Sequence, residues 1–326
     1  MAECDQCGAR QPTYNSCRNR HCPKCQAGAR AEWLEARRGE LLPVPYFHVV
    51  FTLPHELAPL AWANKRVVYG LLFQAASQTL LEVAADKKHL GARIGLLAVL
   101  HTWGQTLEHH PHLHCVVPGG GLSPDGSRWI ACREGFFLPV KVLSRVFRGK
   151  FLALLKQAHA RDPLHFPPEL RELADAQRLR QWLAPLYAKE WVVYAKPPFG
   201  GSEQVLKYLA RYTHRVAISN DRLVSLENGQ VTFRYQDYAH GNQRRTLTVS
   251  AVEFLRRFLL HRLPKGFVRI RHFGLLSNRH RNKWRQRCRE LLGTAAAPSQ
   301  EETRAEPGPS ELSATAAAEQ APLCPH

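Results

Sequence analysis

The segment from His101 to His114, HTWGQTLEHHPHLH, holds five of the seventeen histidines in the chain. Within it, His112 and His114 are separated only by Leu113. Because side chains alternate along a β-strand, this spacing places both imidazoles on one face and sends Leu113 into the core. Two imidazoles on one side can share a divalent ion, which acts as a Lewis acid on a phosphate oxygen.

A third ligand is needed before this pair indicates a metal site, because an isolated His-x-His arises often by chance. His101 and Gln105 precede the pair in a strand-like stretch, and either could face the same side. A hairpin turning through residues 106–111 brings Gln105 closest, and Glu108 is the acidic alternative. Three ligands that include an oxygen donor and leave coordination positions open suit Mg²⁺ or Mn²⁺, so we expect one of these ions.

A second group of reactive side chains lies in the sequence VLKYLARYTHR, which has a helical pattern. Tyr208 and Tyr212 are four residues apart and therefore share one helix face, where core packing is the usual role of tyrosine. A stripe of cations, Lys207, Arg211 and Arg215, runs beside them and could bring a phosphate to the phenols. A tyrosine hydroxyl, with an ordinary pKa of about 10, needs a metal ion, a base or nearby positive charge to become a nucleophile.

The N-terminus carries two Cys-x-x-Cys pairs separated by fourteen residues. Each such turn points two thiolates at one ion, so the pairs can close a tetrahedral zinc site that stabilises a small domain. The predicted zinc ligands are Cys4, Cys7, Cys22 and Cys25. Cys17 and His21 lie between the pairs, but a single site takes four ligands.

The pattern of elements favours an α+β fold built around an antiparallel sheet. Strands are predicted at Tyr46–Thr52, at Arg93–Trp103 and at His112–Pro118, the last two forming a hairpin. Helices are predicted over residues 29–42, 59–86, 137–156, 168–183 and 202–212. A further strand is expected at 191–195, and β-structure with a tight turn at ENGQ follows residue 216.

The chain is strongly basic, with a net charge of +18 and a pI near 9.9. The low-complexity tail after Gly293 contributes −4, so the rest of the chain carries +22, a field that favours nucleic acid. A membrane surface is the rival partner, but we find no amphipathic basic helix or lipid signal. The N-terminus lacks the apolar core of a signal peptide, so we expect a cytoplasmic protein.

Positive charge is concentrated from Phe254 to Arg289, where there are twelve Lys or Arg residues and no acidic residue. Cations can follow a phosphate backbone while aromatic rings stack on unpaired bases; the alternative is a solvated charged helix. The aromatic residues in this stretch are Phe258, Phe267, Phe273 and Trp284. The predicted DNA-binding residues are Lys207, Arg211, Arg215, Arg269, Arg271, Arg279, Arg281 and Lys283.

Five motifs together resemble the HUH endonuclease superfamily, and within it the two-tyrosine rolling-circle transposases of the IS91 group. The resemblance covers most of residues 4–289. The motifs are SCRNRHCPKCQ, FHVVFTLP, HTWGQTLEHHPHLHCVVPGGG, YLARYTHRVAISN and LPKGFVRIRHFGLLSNRHR.

The resemblance implies that His112 and His114 bind the catalytic ion with Gln105, and that Tyr208 and Tyr212 are the nucleophiles. It also implies a ferredoxin-like or RRM-like sheet with the His112–His114 strand at its centre and the tyrosine helix packed against it. The expected activity nicks and rejoins single-stranded DNA at insertion-sequence ends through a 5′-phosphotyrosine. The chain starts almost at its first cysteine, and we expect relatives to have a further N-terminal segment.

The sequence therefore divides into a zinc ribbon (1–28), a nuclease core (29–250), a basic helical DNA-binding region (251–293) and a disordered tail (294–326). Two other classes of function fit parts of the pattern. A zinc-ribbon protein that only binds single-stranded nucleic acid, or an inactive transposase remnant, predicts that the histidines and tyrosines face apart. A metal-dependent phosphodiesterase using the histidines alone predicts cleavage without a covalent adduct. No pattern specifies the oligomeric state.

Overall fold

A computed structural model describes residues 22–161, 164–196, 217–238 and 240–293, except for the side chains of 23–30. It also describes residue 204 and the backbone of two short paired strands, β1 (Ala2–Glu3) and β2 (Arg10–Gln11). The predicted tail, 294–326, lies outside the described residues. Helix α1 (Pro23–Arg38) starts six residues earlier than predicted, with proline in its first turn, where the missing N–H costs no hydrogen bond.

The remaining described elements are strands and helices, with β4 to β7 and β9 to β11 following one another without an intervening helix. The strands are β3 (Tyr46–Thr52), β4 (Gly95–Trp103), β5 (His109–Pro118), β6 (Gly120–Leu122), β7 (Trp129–Ala131), β8 (Val193–Lys196), β9 (Leu223–Glu227), β10 (Gln230–Asp237), β11 (Gln243–Ser250) and β12 (Ile270–Gly274). The helices are α2 (Ala58–Ala63), α3 (Lys65–Ala85), α4 (Val140–Arg161), α5 (Ala176–Ala188), α6 (Ala251–Leu260) and α7 (Arg281–Leu291). Short 3₁₀ turns cover His55–Leu57, Pro168–Ala174 and Asn220–Arg222.

Five strands form the central sheet in the order β12-β4-β5-β3-β8, and every neighbouring pair is antiparallel. Strands β3, β4, β5 and β8, with the helices between them, form the βαββαβ arrangement of ferredoxin-like folds. Strand β5, which carries His112 and His114, lies at the centre of the sheet as predicted. Strand β12 extends one edge, so Ile270–Gly274 belongs to this sheet, although the sequence suggested a separate helical region.

Helices cover one face of the sheet. Helix α3 packs against α4, β4 and β5, and α4 packs against α5 and β8. By length and hydropathy α3 resembles a membrane-crossing helix, but 61% of its apolar window is buried inside the protein, which is the pattern of a core helix. The side chains of Val49, Phe51 and Leu113 point into this core because they alternate with those that face the other side.

The opposite face is only partly covered. At one end, Leu97, Val99 and Val116 pack against Trp33 of α1 and its neighbours Leu41 and Val44. At the other end this face carries histidines from three adjacent strands. Within the described residues α1 covers only the first end, so we call the histidine-bearing end the helix-free face; it holds the candidate site.

A second, three-stranded antiparallel sheet has the order β11-β10-β9. Its β9–β10 turn places Asn228 and Gly229 at φ 49° and 71°, the positive values that the ENGQ sequence predicted for a tight hairpin. One face packs Val231 and Phe233 on Phe254 of α6. Ser250 begins α6 as an N-cap, because its hydroxyl accepts a hydrogen bond from the backbone N–H of Glu253.

Candidate metal centre and nucleic-acid interface

Three histidines meet on the helix-free face. His101 of β4 lies directly opposite His112 of β5, and His114 is the next β5 residue on the same face. Each ring offers a nitrogen, and these atoms all lie within 4.8 Å of one another. His101 and His114 are 2% and 8% exposed, so the centre is shielded from bulk water. We refer to these residues as the histidine cluster.

Gln105, the expected third ligand, lies instead in the turn after β4. Its side-chain oxygen accepts a hydrogen bond from the backbone N–H of Gln236, 3.4 Å away. The difference arises because β5 begins at His109, earlier than predicted, so the connection is shorter and carries Gln105 to the hairpin tip. The structure therefore favours His101 over Gln105 as third ligand. Glu108, the acidic alternative, is exposed in the same turn as Gln105.

The protonation of His112 is fixed by its surroundings. Its Nδ1 lies 2.7 Å from the carbonyl oxygen of His110, and a carbonyl can only accept, so Nδ1 carries the proton and Nε2 keeps its lone pair. Burial lowers the pKa of His112 to about 4, so the ring is neutral near pH 7. A neutral imidazole held through its second nitrogen is the state that binds metal.

His48 of β3 supports the cluster from the other side. Its Nε2 lies 2.8 Å from Nδ1 of His114, and the two rings stack almost in parallel, with 5.0 Å between centroids. Burial, with a smaller contribution from the charge of Lys196, lowers the pKa of His48 to about 4. Alternation along YFHVVFT also puts His48 on the face opposite Val49 and Phe51, and this pattern is the signal by which His48 could be found from the sequence.

Three imidazole nitrogens suit a divalent transition ion. Imidazole nitrogen suits transition ions such as Zn²⁺, Fe²⁺ and Ni²⁺, whereas Mg²⁺ prefers oxygen ligands. Replacing Gln105 by His101 in the ligand set therefore moves the expected preference from Mg²⁺ towards a transition ion. The donor types, the spacing and the orienting hydrogen bonds of His112 and His114 all fit an ion at this position.

The tip of the β4–β5 hairpin is held by three side chains from the region of the second sheet. Arg222 donates to the carbonyl of Gln105, Arg257 to that of Thr106 at 3.0 Å, and His261 to that of Leu107 at 3.1 Å. Arg222 also donates to the carbonyl of Arg234 in β10. Leu107 itself is fully buried and has φ 63°, a strained value for a branched side chain. The second sheet is thus fastened to the hairpin that carries the cluster.

Several predicted site residues lie outside the described residues, including all of the tyrosine motif. These are Tyr208, Tyr212, Lys207, Arg211, Arg215, Cys4, Cys7, Cys17 and His21. Only the backbone of Cys25 is described, within α1. Cys22 is the N-cap of α1 and is a partly exposed thiol.

Both ends of the segment that carries the tyrosines are described. Before it, Lys196 of β8 lies directly opposite His48. After it, Ala217 and Ile218 are buried in the same apolar cluster as Leu107, at the hairpin tip. Residues 197–216 therefore leave and rejoin the described structure on two sides of the histidine cluster.

The predicted basic residues near the C-terminus divide into two groups. Arg279 and Lys283 are exposed. Arg281 pairs with Glu40 at 3.3 Å, and Arg269 is half-buried. The guanidinium of Arg271 lies over the rings of Phe73 and Phe267, 4.2 and 5.1 Å from their centroids, on the helix-covered side. The structure therefore gives Arg271 a packing role, and Arg279 and Lys283 remain the accessible cations of this set.

The aromatic residues of this region pack inside the protein rather than offering rings to bases. Phe267 lies in the main core with Phe273 against it, and Phe258 packs in the cluster around Phe233. Trp284 packs at the junction of α7 with Leu122 and Leu275. Composition alone could not distinguish these positions, because a strand and an amphipathic helix here bury their apolar side chains between exposed cations.

Comparison with known proteins agrees with the motifs. A family model described as "Putative transposase" matches residues 95–284, and one described as "Transposase zinc-binding domain" matches residues 1–53. The chain is 61% identical over 302 residues to "Putative transposase y4qJ" of Sinorhizobium fredii, covering 93% of this chain and 76% of that protein. It is 30% identical over 285 residues to the transposase for insertion sequence element IS801 of Pseudomonas savastanoi pv. phaseolicola, covering 86% of this chain and 66% of that one.

These matches define a transposase with an N-terminal zinc-binding domain. Its similarity to an insertion-sequence transposase, together with the zinc-binding match, shows that the chain belongs to the IS91 family of transposases. Among solved structures, the chain is similar to TrwC complexed with a 27-mer DNA, with a TM-score of 0.26 and 13% identity over 75% of this chain and 73% of that one. The conjugative relaxase TrwC in complex with OriT DNA gives a TM-score of 0.24. Superpositions at this level define no shared fold.

Proposed function

We propose that this transposase nicks and rejoins single-stranded DNA at insertion-sequence ends through a 5′-phosphotyrosine, in rolling-circle transposition. The observation that carries the proposal is the meeting of His101, His112 and His114 on the helix-free face, between the two ends of the tyrosine segment. The histidines alone would fit other phosphodiesterases, and the nearby attachment of that segment favours tyrosine chemistry.

In this proposal His101, His112 and His114 hold a divalent ion, with a transition ion preferred over Mg²⁺. When bound, the ion supplies Lewis-acid stabilisation of negative charge on the phosphate. The protein's own contribution is to keep the ring of His112 neutral and to orient the rings of His112 and His114. The carbonyl of His110 fixes the tautomer of His112, and His48 holds the ring of His114.

Tyr208 and Tyr212 are the proposed nucleophiles. Attack by a phenolic oxygen forms an O–P bond to the 5′ phosphate and breaks the P–O3′ bond; the phenol loses its proton, and the leaving 3′ oxygen takes one up. The phosphotyrosine keeps the energy of the phosphodiester, so a free 3′ hydroxyl can later displace the tyrosine and rejoin the strand. Two tyrosines allow two such transfers in succession.

The remaining parts of the chain serve DNA binding in this proposal. Cys4, Cys7, Cys22 and Cys25 hold a structural zinc ion, in keeping with the zinc-binding family match. Lys207, Arg211 and Arg215 lie in the tyrosine segment and neutralise the phosphates there. Arg279 and Lys283 add accessible positive charge on and beside α7. The substrate is single-stranded DNA at the insertion-sequence ends and at the target, in the bacterial cytoplasm.

The test is covalent trapping. Purified protein is incubated with labelled single-stranded DNA from the element's ends, with Mn²⁺ or EDTA, and separated on a denaturing gel. Wild type and the control Tyr187→Phe, a half-exposed tyrosine on α5, should give a metal-dependent band of protein plus DNA. His112→Ala and the double variant Tyr208→Phe/Tyr212→Phe should not. Cleavage without an adduct would show a hydrolytic phosphodiesterase, and binding without cleavage would show a DNA-binding remnant.

A further inference from the structure

The outer face of the three-stranded sheet is exposed, polar and basic. Side chains alternate along β10 and β11, so one set packs on α6 and the other faces away from it. The second set comprises Gln230, Thr232, Arg234 and Gln236 of β10, Arg244, Thr246, Thr248 and Ser250 of β11, and Ser225 and Glu227 of β9. We call this set the outer sheet face.

Positive charge is gathered at one end of the outer sheet face. Arg234 and Arg244 lie diagonally across neighbouring strands, both exposed, and neither makes an ion pair with another described residue. With Arg245 and Thr246 they line an open groove of about 550 Å³. Arg245 is already paired with Asp237 at 3.3 Å. The acidic member, Glu227, lies at the opposite end, beside the β9–β10 turn.

We propose that the outer sheet face binds duplex DNA by entering its major groove. The major groove is about 12 Å wide and admits a two-stranded β-ribbon, so the β10–β11 pair, whose strands lie about 4.8 Å apart, can enter it. Arginine and glutamine are the side chains that form paired hydrogen bonds with guanine and adenine edges, and threonine and serine hydroxyls suit bases or phosphates. Sheets are known to read DNA in this way.

The composition of the face favours duplex over single-stranded DNA. Surfaces that hold unpaired bases present aromatic rings for stacking, and no member of the outer sheet face is aromatic. Thr232 and Thr248 share a hydrogen bond of 2.8 Å across the strands, which keeps this part of the face flat and polar. Phosphate contacts and groove edges are the features of DNA that such a face can recognise.

The position of the second sheet relates duplex binding to the cleavage of single-stranded DNA, and this step rests on the proposed function. Arg222 links β10 to the hairpin tip by donating to the carbonyls of Arg234 and Gln105. A duplex held on the outer sheet face would therefore lie at a fixed offset from the histidine cluster. The single strand emerging from that duplex is the strand that the cluster and the tyrosines act on.

The test compares duplex and single-stranded binding by fluorescence anisotropy over a salt series, in EDTA so that no cleavage occurs. The probes are a short duplex of mixed sequence and one of its strands, chosen to be unstructured. Arg234→Ala/Arg244→Ala should weaken duplex binding roughly tenfold and lower the salt slope by about 2, one unit for each positive charge removed from the DNA interface. Single-strand binding should change less than twofold. The charge-matched control Arg171→Ala/Arg180→Ala removes two exposed arginines from the other side of the central sheet.

Three results would overturn the proposal: unchanged duplex affinity, an equal loss of single-strand affinity, or the same loss in the control variant. Thermal melting confirms that the variants are folded, and outward side chains should leave the melting temperature unaltered. The covalent adduct on single-stranded substrate is scored separately. A variant that keeps the adduct but loses duplex binding supports the outer sheet face, whereas a wild type without the adduct contradicts only the proposed nuclease reaction.

Discussion

His48 offers the sharpest test of how the histidine cluster is organised. It is 6% exposed and contacts His114 through a 2.8 Å hydrogen bond and a parallel ring stack. Replacing it with leucine keeps most of the volume and removes the hydrogen bond, so the ring of His114 loses the partner that orients it. Loss of such an outer-shell partner typically weakens metal binding 10- to 100-fold, or about 1.4–2.7 kcal/mol.

The assay is isothermal titration of the metal-free protein with Mn²⁺ near neutral pH. His48→Leu should show the full weakening, and His48→Gln should recover part of it because its amide can still pair with Nδ1 of His114. His89→Ala, an exposed histidine in the turn after α3, is the matched control. If His48→Leu binds Mn²⁺ within twofold of wild type while His112→Ala does not bind it, the reasoning is refuted.

Three further predictions follow from the same contacts. Arg222→Ala removes the link between β10 and the carbonyl of Gln105 and should lower the free energy of unfolding by about 1–2 kcal/mol in urea titrations; an unchanged midpoint would contradict the link. Phe147→Ala opens a cavity beneath the central sheet and should cost about 3–5 kcal/mol in the same assay, so a loss under 1 kcal/mol would contradict its core position. Burial lowers the pKa of His109 to about 4, whereas the pKa in the unfolded chain is about 6.5. Between these two pH values the unfolded state binds the proton and the folded state does not, so the free energy of unfolding declines as the pH falls. Melting temperatures at pH 7 and pH 5 should show that decline, and His109→Gln should reduce it; a variant with the full pH dependence would contradict this assignment.

The sequence was informative wherever local spacing decides structure. Strand β3 has the bounds predicted for it, and the alternation of His112, Leu113 and His114 placed the imidazoles and the core leucine on the correct faces. The ENGQ turn also formed as predicted, because asparagine and glycine tolerate positive φ. These features depend on residues within a few positions of one another.

Features that depend on pairing between distant residues were not accessible in the same way. His48 contacts His114 across 66 positions, and nothing in the local pattern of either strand indicates that hydrogen bond. The choice between His101 and Gln105 depended on where β5 begins, and strand ends are set by pairing rather than by local pattern alone. The sequence did not predict strand β12, because its alternating cations and apolar residues resemble those of a basic amphipathic segment.

The hydrogen bonds to the tip of the β4–β5 hairpin depend on the length of the β4–β5 connection more than on its side chains. Three consecutive carbonyls, those of Gln105, Thr106 and Leu107, are each matched to a separate donor. A single residue inserted between β4 and β5 would displace these carbonyls from their donors and break the hydrogen bonds. If those hydrogen bonds were kept instead, the pairing of β5 would shift by one residue. His112 and His114 would then face the core, and Leu113 would face the side that they occupy now. The length of the connection is therefore the sensitive property: substitutions within it adjust stability, whereas an insertion or deletion would separate the residues of the histidine cluster.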